Sequence, residues 1–347
     1  MEPSTPTVLA IESSCDETAC AVVRGLHVQS SIVASQIDIH ARFGGVVPEL
    51  ASRHHLVAVV PVVEQALAKA GIGFDELDGL GVTDGPGLAG ALLVGVQMAR
   101  GLAAATGLPL HGIHHMEGHV FSVLLGDDTR ESTPLEPHVA LLVSGGHTEL
   151  VHVEKFGAYT LLGATRDDAA GEAYDKVAKM LGLGYPGGPV IDRLATEGDP
   201  TAHSFPRAMM AKKASLEFSF SGLKTAVLVT LDRLGPPQSR QQLADLCASF
   251  QAAVVDVLVA KALRACTSVG CSTLHVVGGV SANRGLRAEL SRQASERGLR
   301  VRVPALRYCG DNAAMIGAAA AHRIAIGAPA KVDIDTSRSL DQVSLVT

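Results

Sequence analysis

Two stretches of the sequence follow the same plan, in which an apolar strand, a polar turn and a second apolar strand succeed one another. The first consists of Val8–Ile11, the turn Glu12–Thr18 and the run Ala19–Val23. The second starts with Val139–Val143 and returns through Glu149–Val153. Short apolar runs joined by polar turns predict hairpins. Their recurrence predicts two α/β halves of similar plan with a cleft between them.

The segments between and after these hairpins alternate between helix-like and strand-like patterns. Apolar residues at helical spacing predict helices, and short apolar runs predict strands. We predict helices over His55–Ala70, from Gly87 through Ala105, over Leu246–Leu263 and over Ala313–Ile326, with strands over Leu80–Thr83 and Leu274–Val277. The polar, proline-containing residues 125–138 are predicted to form a linker.

The composition excludes several classes of protein. Of the 347 residues, 47% are hydrophobic and 18% charged, and the 36 glycines show no Gly-X-Y period. Such a chain can bury a sizeable aliphatic core, so disordered and collagen-like chains are excluded, and its length favours two domains. The apolar stretch Leu88–Leu108 is interrupted by Gln97 and Arg100, so we predict a buried helix there and no membrane span.

The start of the chain and its cysteines favour the cytoplasm. Residues Met1–Thr7 lack the basic segment of a signal peptide. The six cysteines form no CxxC pair and no disulfide-framework spacing. We therefore expect them to be reduced, which fits a cytoplasmic protein.

The net charge of −6 argues mildly against a nucleic-acid partner, but the charge is unevenly distributed. Residues 201–310 hold 15 lysines and arginines against six acids, a local charge of +9. A basic face on an acidic protein is compatible with docking a polyanion, because phosphates respond to the local field. The alternative is that these charges only solvate helix faces.

The densest group of potential metal ligands is the histidine cluster at residues 111–119. His115 and His119 are four residues apart, so on a helix they would share a face and bind one metal. His111 and His115 have the same spacing, and a scattered set of core histidines is a further alternative. A third ligand is required, for which Asp311 or a carboxylate near residue 168 is a candidate. Two histidines and one carboxylate suit Fe(II) or Zn(II) and leave positions open for a substrate oxygen.

Two glycine turns and two acidic segments are further candidates for chemistry. The turns Ser144–Gly146 and Gly278–Gly279 each follow an apolar strand, where glycine amides can approach a phosphate, although neither is a P-loop. Asp168, Glu172 and Asp175 would share one face of a helix. The polar turn Glu12–Thr18 could orient a metal, a water or an amine, and tight turns or loop solvation are the structural alternatives.

Six of these segments together resemble a known family. They are Glu12–Thr18, Gly44–Arg53, Gly85–Leu88, His115–His119, Ser144–Thr148 and Gly278–Asn283. In combination and in this order they resemble the TsaD family of tRNA N6-adenosine threonylcarbamoyltransferases, once misnamed O-sialoglycoprotein endopeptidases. The resemblance runs from about Val8 to about Ala328, without a broken motif.

The resemblance implies the α/β fold of the actin, sugar-kinase and Hsp70 group (ASKHA), with two lobes around a nucleotide cleft. We expect an N-terminal lobe over residues 1–130 that is completed by a C-terminal helix at about 311–328. The second lobe would cover residues 139–310, and residues 329–347 would form a C-terminal tail.

The resemblance also implies a reaction and its site. The threonylcarbamoyl group of L-threonylcarbamoyladenylate would move to N6 of adenosine 37 in tRNAs that read codons beginning with A, and AMP would leave. The implied ligands of one Fe(II) or Zn(II) are His115, His119 and Asp311. The implied substrate-binding positions are Leu142, Val143, Ser144, Gly145, Gly146, Asp175, Gly188, Asp192 and Asn283. Our own hypothesis is that Glu12 or Asp16 accepts the amine proton, because both follow the first strand.

The resemblance suggests the bacterial arrangement of partners, a TsaB-like paralogue and a TsaE-like ATPase, beside the tRNA substrate. Two alternatives are a metallopeptidase and an ATP-binding kinase or regulatory module of the same fold. Zinc peptidases use HExxH, whereas Glu117 stands two residues after His115 and would point about 200° away from it on a helix.

Overall fold

The computed structural model describes residues 5–126, 136–210 and 215–343. These residues form two compact units. The first unit takes the described residues of Met1–Leu135, Lys155–Tyr159 and Pro304–Thr347, and the second takes those of Glu136–Glu154 and Thr160–Val303. The domain limits that we expect from the sequence stay predictions, and most of the predicted linker at 125–138 lies outside the described residues.

The first unit is built on a five-stranded sheet in the order β3-β2-β1-β4-β5. Its strands are β1 (Thr7–Glu12), β2 (Glu17–Arg24), β3 (His27–Ser35), β4 (Gly79–Gly85) and β5 (Leu110–His114). Its helices are α1 (Ile37–His40), α2 (Pro48–Ala70), α3 (Ala89–Thr106), α4 (His115–Ser122) and α10 (Ala313–Ala325). β1 is antiparallel to β2, which confirms the predicted hairpin, and parallel to β4, which is in turn parallel to β5.

Helices cover both faces of this sheet, and the side chains of β1 point to the two faces in turn. Val8 and Ala10 pack into the cluster that contains α10, and Leu9 and Ile11 pack into the cluster on the other face, with α2 and α3. A strand buried on both faces carries apolar residues at successive positions, as here. At Gly81 a Cβ atom would lie 2.8 Å from the Cβ of Ala320, so glycine allows α10 to approach β4.

Three of the predicted helices differ from expectation in extent or burial, and one of them, predicted over Leu246–Leu263, spans Arg240–Val269. α2 begins at Pro48, seven residues before the predicted start, because proline is well accommodated in the first turn of a helix. The buried helix predicted over Leu88–Leu108 is buried on only one face. Ala91, Leu92, Gly95, Val96 and Ala99 are buried, whereas Leu93 is 48% exposed. The predicted burial therefore holds for the face of α3 that covers the sheet and not for the face that carries Leu93.

The second unit repeats the strand order of the first, β8-β7-β6-β9-β10 against β3-β2-β1-β4-β5. Its strands are β6 (His138–Val143), β7 (Thr148–Lys155), β8 (Ala158–Ala164), β9 (Thr273–Val277) and β10 (Arg300–Arg302). Its helices are α5 (Ala170–Met180), α6 (Gly187–Ala195), α7 (Ser221–Leu234), α8 (Arg240–Val269) and α9 (Arg284–Glu296). β6 is antiparallel to β7 and parallel to β9, as β1 is to β2 and β4. The repeated α/β plan predicted from the hairpins is confirmed.

By length and composition alone, α3 and α8 could each cross a membrane. In α8, 72% of the most apolar 18-residue window is buried inside the protein, and in α3 the corresponding share is 28%. Core helices of soluble proteins meet the same criterion, so two such helices are weak support for a membrane span.

The described residues that follow α10, up to Val343, pack against the rest of the first unit. The amide of Gly112 donates to the Lys331 carbonyl, and the amide of Asp335 donates to the Asp84 carbonyl. Val332 and Ile334 pack against the apolar cluster beneath α2 and α3. A segment predicted only as a tail therefore extends the packing of the unit.

Candidate metal centre and substrate-binding positions

Strand β5 ends at His114, and helix α4 begins at the next residue. The Nδ1 atom of His114 accepts a hydrogen bond from the amide of Met116 at 3.2 Å and so caps the helix. His115 and His119 follow on one face, with ring centroids 4.8 Å apart and planes at 85°. His111 lies on β5, so the structure pairs His115 with His119 and leaves His111 outside this helix.

Asp311 approaches this face of α4 from just before α10. The next residue, Asn312, caps α10 by accepting a hydrogen bond from the amide of Met315 at 3.1 Å. One carboxylate oxygen of Asp311 lies 3.4 Å from His115 Nε2 and 3.2 Å from His119 Nε2. One ligand atom from each of the three residues lies within 4.8 Å of the others, so they could hold a metal ion.

The electrostatics of this group fit a cation. Burial alone would lower the pKa of His115, but the carboxylates of Asp311 and Glu12 outweigh it and raise that pKa well above its usual value. Burial would likewise raise the pKa of Asp311, yet the two histidines hold it well below its usual value. A buried site that favours positive charge, with two imidazoles and a carboxylate, has the donor set of Fe(II) and Zn(II) sites.

Glu12 lies beneath His115, at the carboxyl end of β1. Its Oε2 atom is 3.0 Å from His115 Nδ1 and also accepts a hydrogen bond from the Thr83 hydroxyl. Its Oε1 atom accepts the amide of Ser14, and the side chain is fully buried. A carboxylate on the outer nitrogen of a metal-binding histidine fixes the orientation of the ring. The arrangement gives Glu12 the position of such a partner.

The polar turn after β1 separates its three acids. Glu12 faces His115, whereas Asp16 and Glu17 lie next to each other at the start of β2. Burial, with the neighbouring charges of Asp311 and Asp16, raises the pKa of Glu17 to about 9. Asp16 is 8% exposed. Because the charge of Asp311 acts on Glu17, these two acids lie close to the candidate metal centre.

Glu117 does not face the histidines. Its carboxylate accepts hydrogen bonds from Tyr159 and Arg323, at 2.8 and 2.6 Å. A peptidase glutamate would have to activate a water at the metal. The orientation of Glu117 therefore disfavours the peptidase alternative.

In the second unit, the turn after β6 exposes its glycines. Leu142 and Val143 are fully buried at the end of the strand. The Ser144 hydroxyl accepts the amide of His147 at 3.1 Å and closes the turn. Gly145 and Gly146 are exposed, and a Cβ atom on either would meet nothing within 4 Å. That these glycines bind an anion stays a prediction from the sequence pattern.

Three other expected substrate positions lie on α5 and α6 of the second unit, and their two aspartates contact the starts of neighbouring helices. Asp175 accepts the amide of Gly187, the first residue of α6, at 2.7 Å, and Gly188 is open at the second position. Asp192 binds Arg284 at the start of α9, with Arg284 Nε at 2.8 Å. The shared acidic face that we predicted with Glu172 is wrong for Asp168, because α5 begins only at Ala170. Asp168 binds Lys176 and Lys224 instead.

A buried polar network connects Asp192 with Asn283. Gln251 donates to Asp192 Oδ1 at 3.2 Å and accepts from Asn283 Nδ2 at 2.8 Å. Asn283 also caps α9 by accepting the amide of Leu286, and the Tyr174 hydroxyl contacts both amides, at 3.4 Å. Sequence reasoning missed Gln251. The only available signal was a polar residue within an apolar helix.

Comparisons with known proteins show the family of the chain. The family model for TsaD, tRNA N6-adenosine threonylcarbamoyltransferase, matches residues 27–318. A tRNA N6-adenosine threonylcarbamoyltransferase of Anaeromyxobacter dehalogenans strain 2CP-1 is 56% identical over 330 residues, which is 94% of this chain and 97% of the relative. The protein of that name from Geotalea uraniireducens is 55% identical over 310 residues, 89% of each chain.

Solved structures of low identity support the fold. Full-length HypF in a phosphate- and nucleotide-bound form has a TM-score of 0.60 at 12% identity, and the match covers 93% of this chain. The chain spans about half (47%) of that HypF chain. The activator of 2-hydroxyisocaproyl-CoA dehydratase from Clostridium difficile has a TM-score of 0.50 at 15% identity, over 93% of this chain and 96% of that one. The fold is the two-lobed α/β fold of the ASKHA type, and the chain belongs to the TsaD family of tRNA N6-adenosine threonylcarbamoyltransferases.

Proposed function

We propose that the chain transfers the threonylcarbamoyl group from L-threonylcarbamoyladenylate to N6 of adenosine 37 in tRNAs that read codons beginning with A. The N6 nitrogen forms a bond with the carbamoyl carbon, the bond from that carbon to the phosphate oxygen breaks, and AMP leaves with the electron pair. Family membership supports this reaction. The observation that carries it is the convergence of His115, His119 and Asp311 on one point at the end of the sheet.

We propose His115, His119 and Asp311 as the ligands of one Fe(II) or Zn(II) ion. When bound, such an ion supplies Lewis acidity for a carbamoyl or phosphate oxygen. Glu12 holds the His115 ring by its Nδ1 atom, so the opposite nitrogen stays directed at Asp311. This orientation supports a role for Glu12 in the site even without contact with substrate.

For the proton of the attacking amine, our hypothesis names Glu12 and Asp16. Both oxygens of Glu12 are already engaged, with Ser14, Thr83 and His115. Glu12 holds a candidate metal ligand, whereas the side chain of Asp16 contacts Cys15 and Glu17, so Asp16 is the better acceptor of the two. The expected consequence is that Asp16→Asn lowers the transfer rate while metal binding persists.

We propose that the second unit supplies the positions that bind the adenylate. The amides of the exposed residues Gly145 and Gly146 suit the phosphate, since backbone donors stabilise the charge of departing AMP. Gly278, with φ of +92° after β9, and Asn283 suit the adenosine. Asp175 and Asp192 suit the ribose hydroxyls, and the buried residues Leu142 and Val143 form the base of the glycine turn.

We propose a TsaB-like paralogue and a TsaE-like ATPase as protein partners, with the reaction in the cytoplasm. The first unit offers an apolar face for the paralogue. On α2, Leu56 is 65% exposed, Val57 73% and Val60 46%, and Leu93 on α3 is 48% exposed. Exposed apolar residues grouped on adjacent helices are typical of protein interfaces.

The test is a reconstituted transfer reaction. Purified protein is mixed with L-threonylcarbamoyladenylate, unmodified tRNA and the two partner proteins, and the nucleosides are analysed by mass. We expect threonylcarbamoyladenosine from the wild type and none from His115→Ala. Glu296→Gln, which removes an exposed ion pair with Arg292 on α9, is the matched control and should keep full yield. ATP turnover without tRNA, in the absence of transfer, would favour a kinase instead.

A further inference from the structure

Glu117 stands midway between the two candidate metal ligands of α4, yet it faces the opposite side of the helix. At about 100° per residue, it is rotated about 200° from both His115 and His119. The residue is 1% exposed. One carboxylate oxygen accepts the Tyr159 hydroxyl at 2.8 Å, and the other accepts Arg323 Nη2 at 2.6 Å. The proposed transfer reaction does not use the buried charge of Glu117.

Arg323 connects Glu117 to the segment that supplies the third ligand. It lies in the last turn of α10, the helix that begins two residues after Asp311. Its Nη1 atom donates to the carbonyl of Gly112 at 2.9 Å, and Gly112 lies on β5 just before α4. Arg323 thus binds α4 and the strand that leads into it, with a side chain that is only 15% exposed.

The packing around this ion pair leaves α4 little freedom. All eight residues of α4 are buried. A Cβ atom on Gly118 would lie 2.7 Å from Ile316 Cδ1, so α4 and α10 are in direct contact next to the ion pair. On the same side the Phe121 ring stacks on Phe156 at a centroid distance of 3.6 Å. Rotation or sliding of α4 would break the ion pair and this contact together.

We propose that Glu117, Arg323 and Tyr159 form a positioning cluster that fixes the distance between the histidines of α4 and Asp311. The inference rests on the proposed metal site and adds residues that do not touch the metal. Arg323 fixes α4 relative to α10, and Tyr159 holds the second oxygen of Glu117. A charged hydrogen-bonded pair in a dry environment is the strong, directional contact that such a role requires.

The test measures metal binding by the full-length chain, independently of tRNA. The dissociation constant for Zn(II) is obtained by competition with a chromogenic chelator, and the visible spectrum of bound Co(II) reports ligand geometry. Glu117→Gln keeps the shape but removes the charge that holds Arg323. We expect its Zn(II) dissociation constant to rise about tenfold, the scale for residues that orient metal ligands, and the Co(II) spectrum to change.

Two further variants separate positioning from general destabilisation. Tyr159→Phe removes only the hydroxyl, and we expect a smaller rise in the dissociation constant, so the inference stays testable if Glu117→Gln folds poorly. Glu197→Gln weakens the exposed Glu197–Arg240 pair of the second unit and is the control, with no expected change.

The outcomes are distinguishable. If Glu117→Gln and Tyr159→Phe melt at lower temperature but bind Zn(II) and Co(II) as the wild type does, the cluster only stabilises the fold and the inference is overturned. If the wild type itself binds no metal, the proposed metal site is overturned, and the inference with it. Weaker binding and an altered Co(II) spectrum in the folded variants support the inference.

Discussion

His115 lies between two carboxylates, with its Nδ1 atom 3.0 Å from Glu12 and its Nε2 atom 3.4 Å from Asp311. The Glu12 side chain is buried, and Thr83 and Ser14 hold it in place. The ring of His115 is therefore oriented from both sides before any ligand arrives. Three of the chain segments that meet here do so because the carboxyl ends of the parallel strands β1, β4 and β5 lie at one edge of the sheet. Asp311 joins them from just before α10.

The first prediction concerns this orientation. Glu12→Gln weakens the acceptor for His115 Nδ1, so metal affinity should fall by about 10- to 100-fold, the range for such outer partners. Metal affinity is measured by chelator competition, with Glu49→Gln as the control, because Glu49 makes only an exposed ion pair. Unchanged affinity in Glu12→Gln would show that the carboxylate does not orient the ring.

The second prediction concerns Gln251, which lies between Asp192 and Asn283. Gln251→Met keeps the length of the side chain but leaves both partners with one hydrogen bond fewer. We expect the KM for threonylcarbamoyladenylate to rise and kcat to change little, with a stability loss of about 1–3 kcal/mol. Steady-state kinetics check this, with Gln293→Met on α9 as the control. The same KM in Gln251→Met and in the wild type would show that Gln251 does not contribute to substrate binding.

The third prediction concerns the C-terminal segment. Arg338 Nη1 lies 3.3 Å from Asp84, whose carboxylate is 3% exposed. Arg338→Ala removes the cation of this pair and leaves the amide of Asp333 as a hydrogen-bond donor to Asp84. Breaking such a buried pair costs about 3 kcal/mol. Urea unfolding measures the loss.

Lys331→Ala is the matched control for the same segment. It removes an exposed pair with Asp333 at 3.7 Å and should change stability by less than about 0.5 kcal/mol. Equal stability of the two variants would contradict the role of Asp84 in holding the segment.

The fourth prediction concerns pH. Burial lowers the pKa of His138 to about 4 and that of His275 to about 2, and the two rings lie 3.8 Å apart on neighbouring strands. In the unfolded chain both histidines bind a proton near pH 6.5, whereas in the folded chain they stay neutral at that pH. The stability that they contribute is therefore fully present above pH 6.5 and is lost as the pH falls toward 4.

For His138 the loss is about 2 kcal/mol at pH 5. Urea unfolding at pH 7 and pH 5 should show a smaller pH dependence in His138→Gln than in the wild type. The same dependence in both proteins would mean that His138 is not held neutral by burial.

Local patterns in the sequence were sufficient to predict much of the fold. The hairpins β1–β2 and β6–β7 appear as short apolar runs around polar turns, and their recurrence predicted the repeated sheet. α2 ends at Ala70 and α3 at Thr106, and each is followed by a glycine with positive φ, Gly71 or Gly107. A glycine directly after an apolar helical pattern is a local signal for the end of a helix.

Long-range contacts were not predictable in the same way. The spacing of His111, His115 and His119 left the ligand pair open until the start of α4 was known. The roles of Glu12, Gln251 and Arg338 depend on partners between 32 and 254 residues away. Neither helical nor strand periodicity carries information on such partners.

The central claim is that a metal bound by His115, His119 and Asp311 is required for transfer to tRNA. The most direct measurement is the yield of threonylcarbamoyladenosine from chelator-stripped protein as Fe(II) or Zn(II) is added back, with partners and tRNA constant. The account predicts that yield rises with bound metal and saturates at one ion per chain, and that Asp311→Asn shows neither tight binding nor product. Full yield from metal-free protein would contradict the account.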